Sequence, residues 1–125
     1  MSLQVSNLEP KKVWQNFVLL NEVPRPSKKE GKVIEFLKSF AKKNNLLYEQ
    51  DEVGNLVIFK DATTDMTKCE TVVLQSHVDM VHEKNNDVEF DFFNSGIKMY
   101  VDGDWVKANG TTLGADNGLG VAAIM

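Results

Sequence analysis

The sequence predicts an α/β fold in which two N-terminal helices precede a set of strands. Three observations carry that prediction. Apolar residues recur at helical spacing over 13–20 and 33–41; beyond Asn45 the pattern changes to short runs rich in Val, Ile, Tyr and Phe; and 71–75 is an apolar run of the kind buried on both faces of a sheet.

The first helix is expected after Asn7 as its cap, with Pro10 near the start, where a missing N–H costs nothing. Val13, Trp14, Phe17, Val18 and Leu20 form its buried stripe, and it stops before Pro24. Pro24, Arg25, Pro26 and Ser27 make a rigid connector, and Ser27 with Glu30 has the S-x-x-E spacing of a capping box. A second helix is thus expected over 28–43, burying Val33, Phe36, Leu37, Phe40 and Ala41 and stopping at Asn44 and Asn45. Residues 47–50 and 56–59 read as a hairpin around Val53, Gly54 and Asn55, and 99–106 as a second one turning at Asp102 and Gly103. A polar loop is expected over 61–68, and 81–97 has no clear period. A last helix begins near Asp116 or Asn117, with no stop signal behind Ala123, Ile124 and Met125.

By length, 125 residues suffice for one domain with a core, yet the unfinished last helix reads as a chain stopping within a domain. Acidic residues number 18 against 14 basic ones, for a formal charge of −4, and the lysines are scattered. That excludes the basic stripe of a nucleic-acid binder. No apolar run approaches a membrane span, and the polar start lacks the h-region of a secretory signal. Cys69 stands alone and cannot form an intramolecular disulfide, so a reducing cytoplasm is the expected compartment.

Ligands in α/β sheets sit beyond the carboxyl ends of strands, and the run 71–75 leads directly into Ser76, His77, Val78 and Asp79. His77 and Asp79 are two apart, so in extended backbone they leave on one face. The carboxylate can then fix the tautomer of a metal-binding imidazole. The bland alternative is a histidine that merely ends a strand. His82 lacks the spacing of a helical H-E-x-x-H site and reads as a loop residue or a substrate contact. Asp116 has the position of a helix cap, but Gly114, Gly118 and Gly120 crowd around it, implying backbone close to something bulky. These glycines match neither dinucleotide nor P-loop order, Cys69 has no activating partner in sequence, and 85–91 lacks a calcium-loop pattern.

Together, the segments 73–81 (VLQSHVDMV) and 110–120 (GTTLGADNGLG) resemble the two N-terminal metal motifs of the M20 metallopeptidases, with the aminoacyl-histidine dipeptidase branch as the best match. Residues 24–27 (PRPS), 51–56 (DEVGNL) and 84–87 (KNND) support the resemblance, which extends from about Leu8 onward. It implies the N-terminal part of a zinc-peptidase-like, mixed-sheet catalytic domain occupying 1–125. His77 would be a zinc ligand, Asp79 the residue that orients it, and Asp116 the bridge between two zinc ions. A cis peptide at Asp116–Asn117 is implied as well.

Cobalt or manganese would also suit such a His/carboxylate site. The resemblance further implies hydrolysis of small peptides, Xaa-His dipeptides among them. It places the general base, the remaining ligands and a lid domain involved in dimerisation beyond these residues, and this chain alone is therefore expected to be inactive. Competing readings are a tripeptidase or deacylase of the same clan, a non-catalytic binding module on a peptidase-derived fold, and a purely structural α/β interaction domain.

Overall fold

The computed structural model describes residues 2–125. Met1, the first residue of the polar start, lies outside them. The elements in order are α1 (Leu3–Ser6), α2 (Lys11–Asn21), α3 (Gly31–Lys43), β1 (Leu47–Gln50), β2 (Leu56–Phe59), β3 (Met99–Asp102), β4 (Trp105–Ala108) and α4 (Ala115–Ile124). The α/β class and the order of helices then strands are as expected.

Two helix starts differ from expectation. Asn7 closes α1, its N–H reaching back to the carbonyl of Gln4 while that of Leu8 reaches Val5, and α2 follows Pro10. Glu9 accepts the free N–H of Lys11 at 2.9 Å, so a carboxylate takes the part expected of Asn7. The second helix, α3, begins at Gly31 because Lys28 sits at φ 70°, outside helical space. No capping box forms: Glu30 accepts the N–H of Lys28 at 2.6 Å, and the Ser27 hydroxyl points to another part of the chain.

Both hairpins form in antiparallel register, Leu47 opposite Phe59 and Met99 opposite Ala108. Asp51 shapes the first turn by accepting N–H groups from Val53 and Asn55 at 3.1 and 2.8 Å. Gly103, at φ 58°, turns the second. The run 71–75 is not a buried strand. It has no ladder partner among the described residues, and Val72, Val73 and Leu74 are exposed. A strand exists only when another segment answers its N–H and C=O groups, whereas a helix answers its own.

The core lies around α2, whose two faces serve two apolar clusters. Phe17 and Val18 pack with Val5, Met80, Ile97, Met99 and Ala122, while Leu20 packs with Val33, Leu37 and Val121. Both clusters include α4 residues, so α4 is anchored on α2. Below the sheetless run, Pro26 and Met80 form a parallel bridge, with N–H to carbonyl bonds from Ser27 to Met80 (3.1 Å) and from Met80 to Arg25 (3.0 Å). This bridge fixes the connector 24–27 alongside 77–80. Among the described residues, no helix is long and apolar enough to cross a membrane.

Candidate metal centre

Two loops converge at one end of α2. The first carries His77 and Asp79 and is held by the Pro26–Met80 bridge; the second carries Asp116 at the start of α4. Asp116 and Asn117 have non-helical backbone angles, and their peptide bond is cis, as the family resemblance implied. The regular helix therefore begins beyond them. Asp116 does not act as a helix cap: its carboxylate, 96% exposed, meets the imidazole of His77.

His77 has a carboxylate on each side. Its Nδ1 lies 3.0 Å from Asp79 Oδ1 and its Nε2 lies 3.1 Å from Asp116 Oδ1. Asp79 is held in turn by the Ser27 hydroxyl, which donates to Oδ2 at 2.5 Å. The Ser27 bond is the leading reason that Asp79 titrates below the usual carboxylate range, and His77 adds to it. The pKa of His77 is raised, first by Asp116 and then by Asp79, which both favour the imidazolium.

This donor set fits a metal cation. In the imidazolium both nitrogens donate to the carboxylates; once the ring is neutral with Nδ1–H on Asp79, Nε2 turns a lone pair to the Asp116 oxygen and two acceptors face each other. Only a proton or a cation between them relieves that repulsion. Two donors of one tetrahedral zinc stand roughly 3.4 Å apart, close to the observed separation. Asp79 would then have the role of the carboxylate behind a metal-bound histidine. Among the described residues no group of three or more His, Cys, Asp and Glu side chains forms a fuller metal set. This stretch would contribute two donors to such a site.

Beneath the pair lies Arg25, 1% exposed. Its Nη1 donates to Val78 O at 3.1 Å and its Nη2 to Asn21 Oδ1 at 2.6 Å and Gly114 O at 2.8 Å. Burial lowers its pKa to about 10, against the opposing pull of Asp79, so it remains charged at neutral pH. At Gly114 and Gly118 the bulky neighbour implied by the glycines is this side chain, whereas at Gly120 it is the side chain of Asn117. A Cβ on Gly114 would stand 2.5 Å from Nη2, and one on Gly118 would stand 2.6 Å from the same atom.

The other singled-out residues stay apart from this centre. His82 packs edge-on against Phe92 and Phe93, with centroids 5.7 and 6.2 Å away. Cys69 is exposed, with its sulfur 3.7 Å from that of Met66. Arg25 and Ser27 are the members of the cluster that sequence reasoning did not place in a site.

The chain is 45% identical over 122 residues to the cytosol non-specific dipeptidase of Escherichia coli (strain K12), a match covering 98% of this chain and 25% of that protein. The chain is thus similar in sequence, over nearly all of its own length, to one part of that dipeptidase. The solved aminoacylhistidine dipeptidase of Vibrio alginolyticus superposes with a TM-score of 0.93 at 42% identity, over 96% of this chain and 24% of that one. A tripeptidase from Staphylococcus aureus shares the fold, with a TM-score of 0.67 at 21% identity over 94% of this chain and 31% of that one. No family model matches. The chain thus spans about a quarter of the length of the dipeptidases it is similar to.

Proposed function

We propose that the whole protein is a cytoplasmic, metal-dependent dipeptidase of the M20 type, acting on Xaa-His or a broader range of dipeptides. In this reading 1–125 supplies the N-terminal portion of its catalytic domain. The observation that carries it is the His77 imidazole held between two carboxylates, with Nδ1 3.0 Å from Asp79 Oδ1 and Nε2 3.1 Å from Asp116 Oδ1. His77 and Asp116 would hold the metal through Nε2 and the carboxylate, and Asp79 would hold the imidazole in its Nδ1–H tautomer. Two such ions, when bound, polarise a peptide carbonyl and lower the pKa of water.

The chain's own residues hold and orient. Asp79 keeps the proton on Nδ1 so that Nε2 stays a donor to metal. Asp116, nearly fully exposed, offers its oxygens to the open side of the centre where a small peptide would arrive. The general base and the remaining ligands come from elsewhere in the whole protein, as does a lid through which two copies would pair. The identities of 45% and 42% to dipeptidases favour a dipeptide over a tripeptide substrate.

The test is hydrolysis of a Xaa-His dipeptide by the whole protein, metal-loaded and after chelation, alongside His77→Ala and Asp116→Ala. Activity should vanish on chelation, return with zinc, and be lost in both variants. Chelator-insensitive turnover, or turnover by the 125-residue chain alone, would refute the assignment.

A further inference from the structure

We infer that Arg25 is a positioning residue that sets the spacing between the His77 and Asp116 ligands by gripping both loops with one planar guanidinium. The inference rests on the metal-centre reading above. Its basis is the arrangement of the bonds. Nη1 holds the carbonyl of Val78, the residue between His77 and Asp79, and Nη2 holds the carbonyl of Gly114, two residues before Asp116. Asn21 on α2 fixes Nη2 from below at 2.6 Å, so the fork is anchored to the core helix.

A charge so deeply buried is costly unless its hydrogen bonds achieve something a hydrocarbon could not. Here its partners on the two loops are backbone carbonyls, and no side-chain substitution at 78 or 114 could supply the same link. Nε is buried without a partner among the described residues, so the fit is dictated by the two terminal nitrogens. The loop before α4 is shaped around this group. Gly114, at φ 74°, and Gly118 both bring backbone to within contact of Nη2, closer than any side chain would allow. Lysine cannot replace the fork, since an ammonium is a single point with no fixed separation between its donors.

Arg25→Lys in the whole protein is the decisive variant, measured by zinc affinity in chelator competition and by the visible spectrum of the cobalt-substituted protein. Arg25 bonds to backbone beside the ligands and not to the ligands themselves, so zinc affinity should fall about fivefold, short of the cost of losing a direct partner, and the cobalt bands should shift. Val33→Ala, a truncation in the second apolar cluster, is the control for stability loss alone. It should lower the melting temperature with zinc affinity unchanged. A folded Arg25→Lys protein with wild-type zinc affinity and cobalt spectrum overturns the inference and leaves the metal-centre reading intact. A wild type that binds no zinc overturns both.

If Arg25→Lys fails to fold, Asn21→Ala removes the anchor on Nη2 and should weaken zinc in the same way; unchanged affinity there overturns the inference. If that variant also fails, the wild type with 15N-labelled arginine serves. The Arg25 Nη resonances should move when zinc is removed, and resonances that stay put overturn the inference.

Discussion

Ser27→Ala isolates a single hydrogen bond whose effect on the metal must pass through two other side chains. The Ser27 hydroxyl donates to Asp79 Oδ2 at 2.5 Å, a charge-assisted bond in a partly buried setting. Such bonds contribute about 1.5–3 kcal/mol, and the Asp79 side chain is 35% exposed, so water can replace part of it and about 1 kcal/mol is expected to be lost. Two consequences for zinc oppose each other. Without Ser27 the carboxylate becomes more basic, which strengthens its hold on His77 Nδ1–H; it also becomes free to rotate, which loosens the imidazole. Loss of a direct partner of a metal-bound histidine costs about 10–100-fold in affinity. Ser27 is one bond further away and part of its loss is offset, so a fall of roughly fivefold is expected. Chelator competition on the whole protein measures it, with Ser27→Thr restoring the hydroxyl and the affinity. The decisive comparison is a cycle with Asp79→Asn. If Ser27 acts through Asp79, the double variant binds zinc no more weakly than Asp79→Asn alone. Additive losses, or full affinity in Ser27→Ala, refute the coupling.

The same bond gives a pH signature. Asp79 titrates below the usual carboxylate range, so its contribution to stability is present above the unfolded pKa and lost as pH falls through the folded one. Ser27→Ala should therefore lower the urea midpoint at neutral pH and converge with wild type in acid. His77 runs the other way: its raised pKa stabilises the metal-free fold fully below about 6.5 and ceases to do so as pH rises through the folded value. Zinc must displace that proton, so zinc affinity should fall with decreasing pH over the same interval, and pH-independent affinity in calorimetry would contradict the site. Gly118→Ala would press a Cβ to 2.6 Å from Arg25 Nη2 and 2.9 Å from the Phe17 ring, both fully buried. Such overpacking costs about 1–3 kcal/mol, and an unchanged denaturation midpoint would contradict the packing described.

What was legible in the sequence was what local bonds decide. The stripes on α2 and α3 and the Asp-Gly turn at Asp102 and Gly103 needed nothing beyond neighbours a few residues away. His77 and Asp79 were legible for the same reason, being two apart on one segment. Ser27 was misread because its local pattern with Glu30 matched a capping box, while its actual acceptor lies 52 residues along the chain. Arg25 carried no local signal as a site residue, since charged side chains are ordinarily exposed. The glycines at 114 and 118 recorded that something bulky lay against the backbone, but only the fold identifies it as a guanidinium.

Asp116 shows how such ambiguity is resolved. An acidic residue at a helix start satisfies the rules for a cap and for a ligand equally well, because both need a carboxylate near free amides or a cation. The difference lies in where the helix begins. Non-helical angles at Asp116 and Asn117 push the first regular turn beyond Asn117, which takes the carboxylate away from the amides it would cap. It is left facing His77, itself oriented from behind by Asp79 and Ser27. A cap would have tied Asp116 to α4 alone. In its observed place it belongs to two loops at once, and among the described residues the guanidinium of Arg25 is the side chain that bonds to the backbone of both.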